Sequence, residues 1–260
     1  MERSIKISAI IPTCDRPQYL PEAIASIRAQ SLQPLEIIVA NNGKEPVPEG
    51  SLGQDVQVLN LAPYVGVSAA RNAGAKAASG DYLAFLDDDD MWDKDFLKHL
   101  AAKIMENDGD YIVADLYRFF EGEKPELVSS YSWAARGWKE SFYGRCPGFG
   151  GGNFLVTKSA FREVGGFDKN ITMSEDQVLP CELAIRGYKI SSEPKAKYLV
   201  RHHTNVRLSH SYIKHYFQFY HSCKKHMSLE QRVKYIYKGW KLRLKHNIKK
   251  IKLRIKKKNK

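Results

Sequence analysis

The segment Gly80–Asp90 reads GDYLAFLDDDD, an apolar run that ends in four consecutive aspartates. A short apolar run without alternation is typical of a strand buried on both faces, so we expect a central strand at Tyr82–Leu86. Ligands of open α/β sheets bind beyond the carboxyl ends of the strands, which is where the aspartates fall. Four adjacent carboxylates repel one another, and a divalent cation with oxygen ligands would relieve that repulsion. The alternative is a solvated acidic turn that caps a helix over Asp93–Lys103.

Three further apolar runs precede this segment, at Ile5–Ile11, Leu35–Ala40 and Val56–Leu61. Helical patterns lie between some of the runs: Pro17–Gln30 has apolar residues at helical spacing, and Val67–Ala78 is rich in alanine. Strands that alternate with helices predict an α/β fold with a mostly parallel sheet.

After about residue 110 the pattern changes. Tyr111–Phe120 and Tyr198–His203 are predicted as strands, and Ser159–Val164 and Glu175–Arg186 as helices. The segment 121–149 is irregular, and the glycines that follow it would permit a close backbone approach to a ligand. We find no linker between the two halves, and therefore predict one continuous globular body.

The composition is that of an ordinary globular protein. The 260 residues are 43% hydrophobic and 27% charged, and no run approaches the roughly 18 apolar residues of a membrane-spanning helix. The N-terminus lacks the apolar block of a signal peptide, so neither secretion nor membrane insertion is expected. The cysteines are far apart, which argues against a zinc site or a disulfide framework and fits a cytoplasmic protein. They are Cys14, Cys146, Cys181 and Cys223.

The net charge of +12 belongs to the C-terminal tail. Residues 231–260 hold 14 Lys and Arg and no Asp or Glu, whereas the first 230 residues hold 27 basic and 29 acidic side chains. A nucleic-acid-binding fold more often carries its charge across a folded face, so no nucleic-acid partner is expected.

The tail has the pattern of a basic amphipathic helix. Ser228 and Gln231 have the spacing of a capping box at its start, and Ile251–Ile255 also alternates like a strand. A helix of this kind suits the surface of an anionic membrane. Packing of the stripe on the protein body and, less favoured, RNA binding are the alternatives. The apolar stripe consists of Val233, Tyr237, Trp240, Leu244, Ile248, Ile251 and Ile255.

Several ordered motifs over residues 5–205 resemble those of family 2 of the inverting nucleotide-sugar glycosyltransferases, which have the GT-A fold. They are IIPT at Ile10–Thr13, EIIV at Glu36–Val39, ARN-x-G at Ala70–Gly74, FLD-x-D at Phe85–Asp89, VGGFD at Val164–Asp168, Glu175-Asp176, and Arg201-x-His203. The resemblance implies a GT-A domain over 1–227 and the tail over 228–260. Within the domain, 1–110 would bind a nucleotide-diphosphate sugar and 111–227 would meet the acceptor.

The resemblance also implies a metal site. Asp89 and His203 would hold Mn²⁺ or Mg²⁺ against the donor diphosphate, and Asp87 would lie near the ribose and the metal. The neighbouring His202 leaves open which histidine is the ligand. Arg71 is equally compatible with a structural ion pair to the aspartates. The residues expected to contact the donor are Thr13, Asp15, Asn41, Asn42, Arg71, Asp87 and Asp88.

Asp176 is the general base by the same resemblance, and it would remove the proton from the acceptor hydroxyl. The alternative is an acidic residue at a helix N-terminus that the helix dipole favours. The sequence departs from the family pattern at Cys14, where an aromatic residue is common, and at Asn41 and Asn42, where aspartates are usual. These differences leave the donor open.

The resemblance and the tail together predict an enzyme at the inner face of the cell membrane. Its acceptor would be a polyprenyl-diphosphate-linked oligosaccharide of a surface polysaccharide such as an O-antigen or capsule. A nucleotidyltransferase and a non-catalytic membrane adaptor are the alternatives. The former would usually need a glycine-rich or basic phosphate loop after the first strand, and Pro12–Pro17 is not one.

Overall fold

The computed structural model describes residues 5–106, 109–120, 122–130, 151–171, 174–202 and 212–258. The strands in this part of the chain are β1 (Ile7–Thr13), β2 (Glu36–Asn41), β3 (Val56–Asn60), β4 (Tyr82–Phe85), β5 (Met91–Trp92), β6 (Tyr111–Phe119), β7 (Glu126–Ser129), β8 (Phe154–Thr157) and β9 (Ile190–Arg201). The helices are α1 (Leu20–Arg28), α2 (Val67–Ala77), α3 (Phe96–Met105), α4 (Lys158–Glu163), α5 (Glu175–Ile185), α6 (Tyr212–Cys223) and α7 (Leu229–Lys258).

All of these strands belong to one mixed sheet with the order β3-β2-β1-β4-β8-β6-β9-β5, and β7 pairs with β6. The first four strands are parallel, as predicted, and β8 runs antiparallel to both β4 and β6. The sheet therefore runs without a break from the N-terminal half of the chain into the C-terminal half.

The predicted early strands are confirmed within two residues at each end. β9 differs, because it begins at Ile190, eight residues before the predicted Tyr198. Its burial pattern explains the difference: buried residues are separated by runs of intermediate and exposed ones, so the first half lacks the continuous apolar run of a central strand.

The core lies on both faces of the parallel strands. Every residue of β1 is buried, as expected for a strand that helices or loops cover on both sides. Helix α2 packs directly on this strand, since a Cβ atom at Gly74 would lie 2.4 Å from Cγ2 of Ile10. The glycine of the ARN-x-G motif thus sets how closely α2, and with it Arg71, approaches the sheet.

The predicted capping box starts α7. The Gln231 N–H donates to Ser228 Oγ (3.3 Å), and the Ser228 N–H donates to Gln231 Oε1 (2.5 Å). The helix continues to Lys258, so the helical prediction for the tail is confirmed over the strand alternative at Ile251–Ile255.

Helix α7 packs on α6 through a face that the sequence analysis did not single out. The ring of Tyr235 stacks on Tyr216 at 4.1 Å, and Gly239 is buried against Tyr216 and Phe217. The first four residues of the predicted stripe lie on roughly the opposite side of the helix and are between 58% and 65% exposed. They are Val233, Tyr237, Trp240 and Leu244; the side chains of Ile248, Ile251 and Ile255 lie outside the described part of the chain.

No helix in the described ranges combines the length and the apolar character that a membrane span requires.

Candidate functional site

The acidic run lies at the point where the strand order reverses. β1 has β2 on one side and β4 on the other, and in doubly wound sheets ligands bind in the crevice at such a reversal. Thr13 ends β1, and Asp87–Asp90 directly follow β4. The residues predicted to bind the donor therefore surround one crevice.

Asp88 and Asp89 share a guanidinium. Asp88 is fully buried, and its Oδ2 accepts a hydrogen bond from Thr13 Oγ1 at 2.7 Å. Arg16 lies 2.6 Å from Asp88 Oδ1 through Nη2 and 2.6 Å from Asp89 Oδ2 through Nη1. Burial raises the pKa of Asp88 to about 6, although Arg16 and Thr13 act to lower it. Arg16 thus offsets part of the repulsion within the acidic run.

Asp90 ties the acidic run to the end of β9. Its Oδ1 accepts the Arg201 N–H at 2.9 Å, and Arg201 Nε donates to the Asp89 carbonyl at 3.1 Å. Burial raises the pKa of the Asp90 carboxyl well above its usual range, and the charges of Asp89 and Asp87 add to this effect.

The two candidate metal-binding histidines follow Arg201. His202 donates its N–H to the Phe119 carbonyl at 3.0 Å, and its ring lies 4.5 Å from that of Phe120. His203 lies outside the described residues. The end of β9 nevertheless reaches the acidic run through Arg201.

Arg71 joins the donor side of the site to the predicted base. Its buried guanidinium lies 2.6 Å from Asp87 Oδ1 and 2.8 Å from Glu175 Oε1, and it covers the ring of Phe167 at 5.2 Å. Burial alone would lower the pKa of Arg71, but Asp87 and Glu175 raise it, so the side chain stays charged. The ion pair that the sequence left open is present. Arg71 Nε has no hydrogen-bond partner among the described residues, and a ligand or water oxygen would satisfy it.

Gly151 lies against this guanidinium. A Cβ atom at Gly151 would lie 2.0 Å from Arg71 Nη2 and 3.1 Å from Asp87 Oδ2. Gly151 is therefore in close contact with Arg71 and Asp87, and the predicted approach of the backbone to a ligand stays a prediction.

Asp176 lies in the first turn of α5, next to Glu175. Its side chain is half-buried. Burial raises the pKa of Asp176 well above its usual range, and the charge of Glu175 raises it further, while Arg71 acts to lower it. A carboxyl in this environment binds a proton more readily than an exposed one, which suits a group that accepts a proton near neutral pH.

The polar residues that follow β1 and β2, which were predicted to contact the donor nucleoside, form hydrogen bonds within and between these loops. Asn41 Nδ2 donates to Asn60 Oδ1 (2.9 Å), Asn42 Nδ2 donates to the Thr13 carbonyl (2.8 Å), and Asp15 Oδ1 accepts the Lys44 N–H (2.8 Å). A carboxylate has no hydrogen to donate, so an aspartate could not replace either asparagine in these bonds. Both asparagine amides therefore contribute to holding these loops in place.

Two functional positions escaped the sequence analysis. Arg16 follows β1 in a segment that was considered only as a possible phosphate loop. Asn72 was noted within its motif without a role, and its amide bonds both the N–H and the carbonyl of Phe167, at 2.9 and 2.8 Å. The motif itself was the available signal in the second case, and nothing in the sequence indicated the first.

The described residues supply only part of the ligand set that a divalent cation needs. They contain no group of three or more His, Cys, Asp or Glu side chains arranged to hold a metal. A Mg²⁺-like ion that binds a substrate diphosphate needs only one or two protein carboxylates, because phosphate oxygens and water complete its shell. Asp89, with 15% of its side chain exposed, offers such an oxygen once Arg16 releases it.

Comparison with known proteins gives three results. The family described as "Glycosyl transferase family 2" matches residues 8–165. The uncharacterized glycosyltransferase YwdF of Bacillus subtilis is 38% identical over 120 residues, which are 45% of this chain and 45% of YwdF. Glycosyltransferase GlyA of Streptococcus pneumoniae is 32% identical over 123 residues, which are 45% of this chain and 18% of GlyA. The chain thus matches less than half the length of either relative.

A solved structure with the same fold is that of Staphylococcus aureus TarS, residues 1–349, in complex with UDP-GlcNAc. It superposes with a TM-score of 0.66 at 19% identity, over 88% of this chain and 69% of the TarS chain. At this identity the likeness shows the fold, which is GT-A as the sequence motifs predicted.

Proposed function

The chain belongs to glycosyl transferase family 2, and from this premise we propose that it moves a sugar from a nucleoside-diphosphate sugar to a hydroxyl of a glycan acceptor, with inversion. The observation that carries the proposal is the Arg71 bridge, which holds Asp87 on the donor side and Glu175, next to Asp176, on the other. The UDP-GlcNAc bound by TarS supports a nucleotide-sugar donor.

In the proposed reaction, Asp176 takes the proton of the acceptor hydroxyl. The acceptor oxygen bonds to the anomeric carbon from the side opposite the diphosphate, and the bond between that carbon and the diphosphate oxygen breaks. The electron pair leaves on the diphosphate, which gains negative charge. Arg16, which lies beside Asp88 and Asp89, would supply a donor that stabilises such charge.

Asp89 is the proposed ligand for Mn²⁺ or Mg²⁺, with His203 as the second ligand from the protein. When bound, the cation would neutralise charge on the departing diphosphate. Asp89→Asn should abolish any metal-dependent gain in donor affinity. Asp81 is an exposed carboxylate at the opposite end of β4, so Asp81→Asn is the matched control. This variant should bind the donor with the same metal dependence as the wild type. Equal metal dependence in both variants would remove Asp89 from this role.

The proposed acceptor is a polyprenyl-diphosphate-linked oligosaccharide in the synthesis of a bacterial surface polysaccharide. We place the enzyme at the inner face of the cell membrane, held by residues 231–260. The exposed apolar residues Val233, Tyr237, Trp240 and Leu244 support this placement, because the neighbouring part of the tail carries only basic charges.

A donor screen tests the transferase proposal. UDP-, GDP-, dTDP- and CMP-sugars are offered with Mn²⁺, and thermal shift and nucleotide release are followed. We expect one donor to stabilise the protein and to be hydrolysed slowly to the free nucleotide. Release of inorganic pyrophosphate from a nucleoside triphosphate and a sugar phosphate would instead indicate a nucleotidyltransferase. No response from the folded protein to any of these compounds, with or without membranes, would favour the adaptor.

A further inference from the structure

Arg16 bridges the two aspartates at the centre of the acidic run. Its Nη2 lies 2.6 Å from Asp88 Oδ1, and its Nη1 lies 2.6 Å from Asp89 Oδ2. The Asp88 carboxylate is fully buried, and its Oδ2 also accepts the Thr13 hydroxyl, whereas the Asp89 carboxylate is partly exposed. The side chain of Arg16 is itself 43% exposed, so this double ion pair lies next to the solvent rather than in the core.

The backbone around Arg16 is fixed on both sides. Asp15 has φ at 52°, in the left-handed region, which aspartate tolerates because its short side chain can bond to nearby backbone groups. Asp15 Oδ1 accepts the Lys44 N–H at 2.8 Å, and the Arg16 carbonyl accepts the Tyr19 N–H at 3.3 Å. The guanidinium can therefore change partners by rotation of its side chain, without movement of the loop.

Arg16 and a divalent cation would compete for the carboxylate of Asp89. A cation such as Mg²⁺ binds carboxylate oxygens at about 2.0–2.1 Å, and the guanidinium lies 2.6 Å from Oδ2 of the same group. Two cations so close to one carboxylate repel each other. Burial acts to lower the pKa of Arg16, but the charges of the acidic run raise it above its usual value, Asp88 most strongly. Arg16 thus stays charged, and it would yield this position by moving rather than by losing a proton.

The diphosphate of the proposed donor would offer Arg16 another anion. Guanidinium groups bind phosphate oxygens through two parallel charge-assisted hydrogen bonds. Because the proposed cation joins Asp89 to the diphosphate, the diphosphate would also lie beside Arg16.

We propose that Arg16 exchanges the carboxylate of Asp89 for the donor diphosphate, and that this exchange admits the divalent cation. The inference rests on the proposed sugar transfer and adds an order of binding to it. Binding of the cation alone is opposed by Arg16, and the donor removes that opposition. The competing explanation is a fixed ion pair, in which Arg16 stays on the aspartates and only stabilises the acidic run.

Binding of Mn²⁺ to the full chain without nucleotide separates the two explanations, with free Mn²⁺ measured by electron paramagnetic resonance. Arg16→Gln removes the positive charge and keeps a polar side chain. Arg28→Gln is the matched control, because Arg28 is also 43% exposed and forms an ion pair with Asp55. Asp55 precedes β3, so this pair lies at the end of the parallel strands opposite the acidic run.

We expect Arg16→Gln to bind Mn²⁺ at least about tenfold more tightly than the wild type, because a repelling charge is gone. With saturating Mn²⁺, its affinity for the preferred nucleoside diphosphate among UDP, GDP and dTDP should fall about tenfold, because the contact with the diphosphate is lost. Arg28→Gln should match the wild type in both measurements. A variant that is merely damaged would lose both affinities, so the opposite signs identify the exchange.

Arg16→Lys keeps the charge but replaces the planar fork with a single ammonium group, and it decides the matter if Arg16→Gln does not fold. It should bind Mn²⁺ within about threefold of the wild type and bind the nucleotide more weakly. Unchanged or weaker Mn²⁺ binding by folded Arg16→Gln, or unchanged nucleotide affinity in Arg16→Lys, would overturn the inference alone. Failure of the wild type to bind any of the three nucleotides with Mn²⁺ would overturn the proposed function as well.

Discussion

Arg71 is a buried cation held by carboxylates from two different parts of the chain. It forms ion pairs with Asp87 and Glu175 and lies over the ring of Phe167. Gly151 is in close contact with its guanidinium. Removing one partner of a buried ion pair leaves an uncompensated charge, so these groups depend on one another. At the scale of single residues, the charge balance around Arg71 therefore sets the environment of the neighbouring Asp176.

The first prediction concerns Asp176 as the base. Asp176→Asn should lower the rate of transfer by about 10²- to 10⁴-fold, which is the usual contribution of a positioned base, and should leave donor affinity unchanged. Turnover with the donor identified by the screen tests the expected loss of rate, and calorimetry of donor binding tests the unchanged affinity. Glu182→Gln is the matched control, because it removes a carboxylate from the same helix, and this carboxylate pairs with the exposed Lys225. Full turnover by Asp176→Asn would exclude it as the base.

The second prediction concerns the pH dependence of the reaction. Asp176 must be ionised to accept a proton, and its pKa is raised chiefly by burial and then by the charge of Glu175. Activity should therefore be lost as the pH falls through this raised pKa. Glu175→Gln removes the repelling charge and leaves Arg71 as the nearest cation, so the acidic limb of the pH–rate profile should move to lower pH. A limb that stays in place would show that it reports another group.

Residues of the same type can lie in different environments, and this limits what the sequence predicts about the partners of a single residue. The acidic run is recognisable as a site, yet its members differ in their partners: Asp87 pairs with Arg71, Asp88 and Asp89 share Arg16, and Asp90 accepts the backbone N–H of Arg201. Those partners are distant in the sequence, and the pairing depends on the strand order. Single-residue patterns carry no information of that kind.

At the scale of helices and strands, an important contact joins helix α2 to the turn at Gly165-Gly166. Asn72 binds both backbone polar groups of Phe167, and a Cβ atom at Gly166, which has φ at 70°, would lie 2.6 Å from Asn72 Oδ1. The turn therefore needs glycine at 166 and an amide at 72. Two motifs that are far apart in the sequence form one contact, and that contact holds Phe167 beneath Arg71.

The third prediction follows from this contact. Asn72→Ala leaves the N–H and the carbonyl of Phe167 without their partner, which should lower the free energy of unfolding by about 1–3 kcal/mol. Chemical denaturation measures the change. Asn170 is exposed and lies in the same connection between α4 and α5, so Asn170→Ala should change the free energy of unfolding by less than about 0.5 kcal/mol. Similar losses in the two variants would mean that the Asn72 amide has no special role in stability.

The elements that could be predicted are those with a continuous signal. Strands β1, β2 and β4 are mostly buried apolar runs, β3 has apolar residues at Val56, Val58 and Leu59, and α1 and α2 have clear helical spacing. Strands β5 and β7 have only two and four residues, too few for a period to show. Strand β8 was not predicted either, although it joins the two halves of the sheet between β4 and β6.

At the scale of the whole molecule, charge and apolar surface are concentrated at the C-terminal helix. Helix α7 uses Tyr235 and Gly239 to pack on α6, which leaves the stripe that begins at Val233 exposed. The pattern predicted the helix correctly, but it could not show which side would face the protein, because Tyr235 and Tyr237 lie on different sides of the helix and both are aromatic. Exposed large side chains aligned on one helix face typically mark an interaction surface.

The last prediction tests that surface against lipid vesicles. The full chain should bind vesicles that contain phosphatidylglycerol and bind neutral phosphatidylcholine vesicles far more weakly, because each basic residue near an anionic surface contributes on the order of 1 kcal/mol. Added salt should weaken the binding through screening. Replacing Trp240 and Leu244 with serine should reduce vesicle binding at least tenfold, since these side chains are expected to enter the interface.

A matched pair of exposed apolar residues provides the control for this experiment. Leu127 and Val128 on β7 are 55% and 47% exposed, so their replacement by serine removes apolar surface away from the tail. That variant should bind vesicles as the wild type does, and both variants should keep donor affinity. Equal binding by all three proteins would assign the attraction to charge alone and contradict the apolar stripe as a membrane contact. Absence of vesicle binding by the wild type would leave the stripe to contact another protein surface, and the proposed location at the membrane would then be wrong.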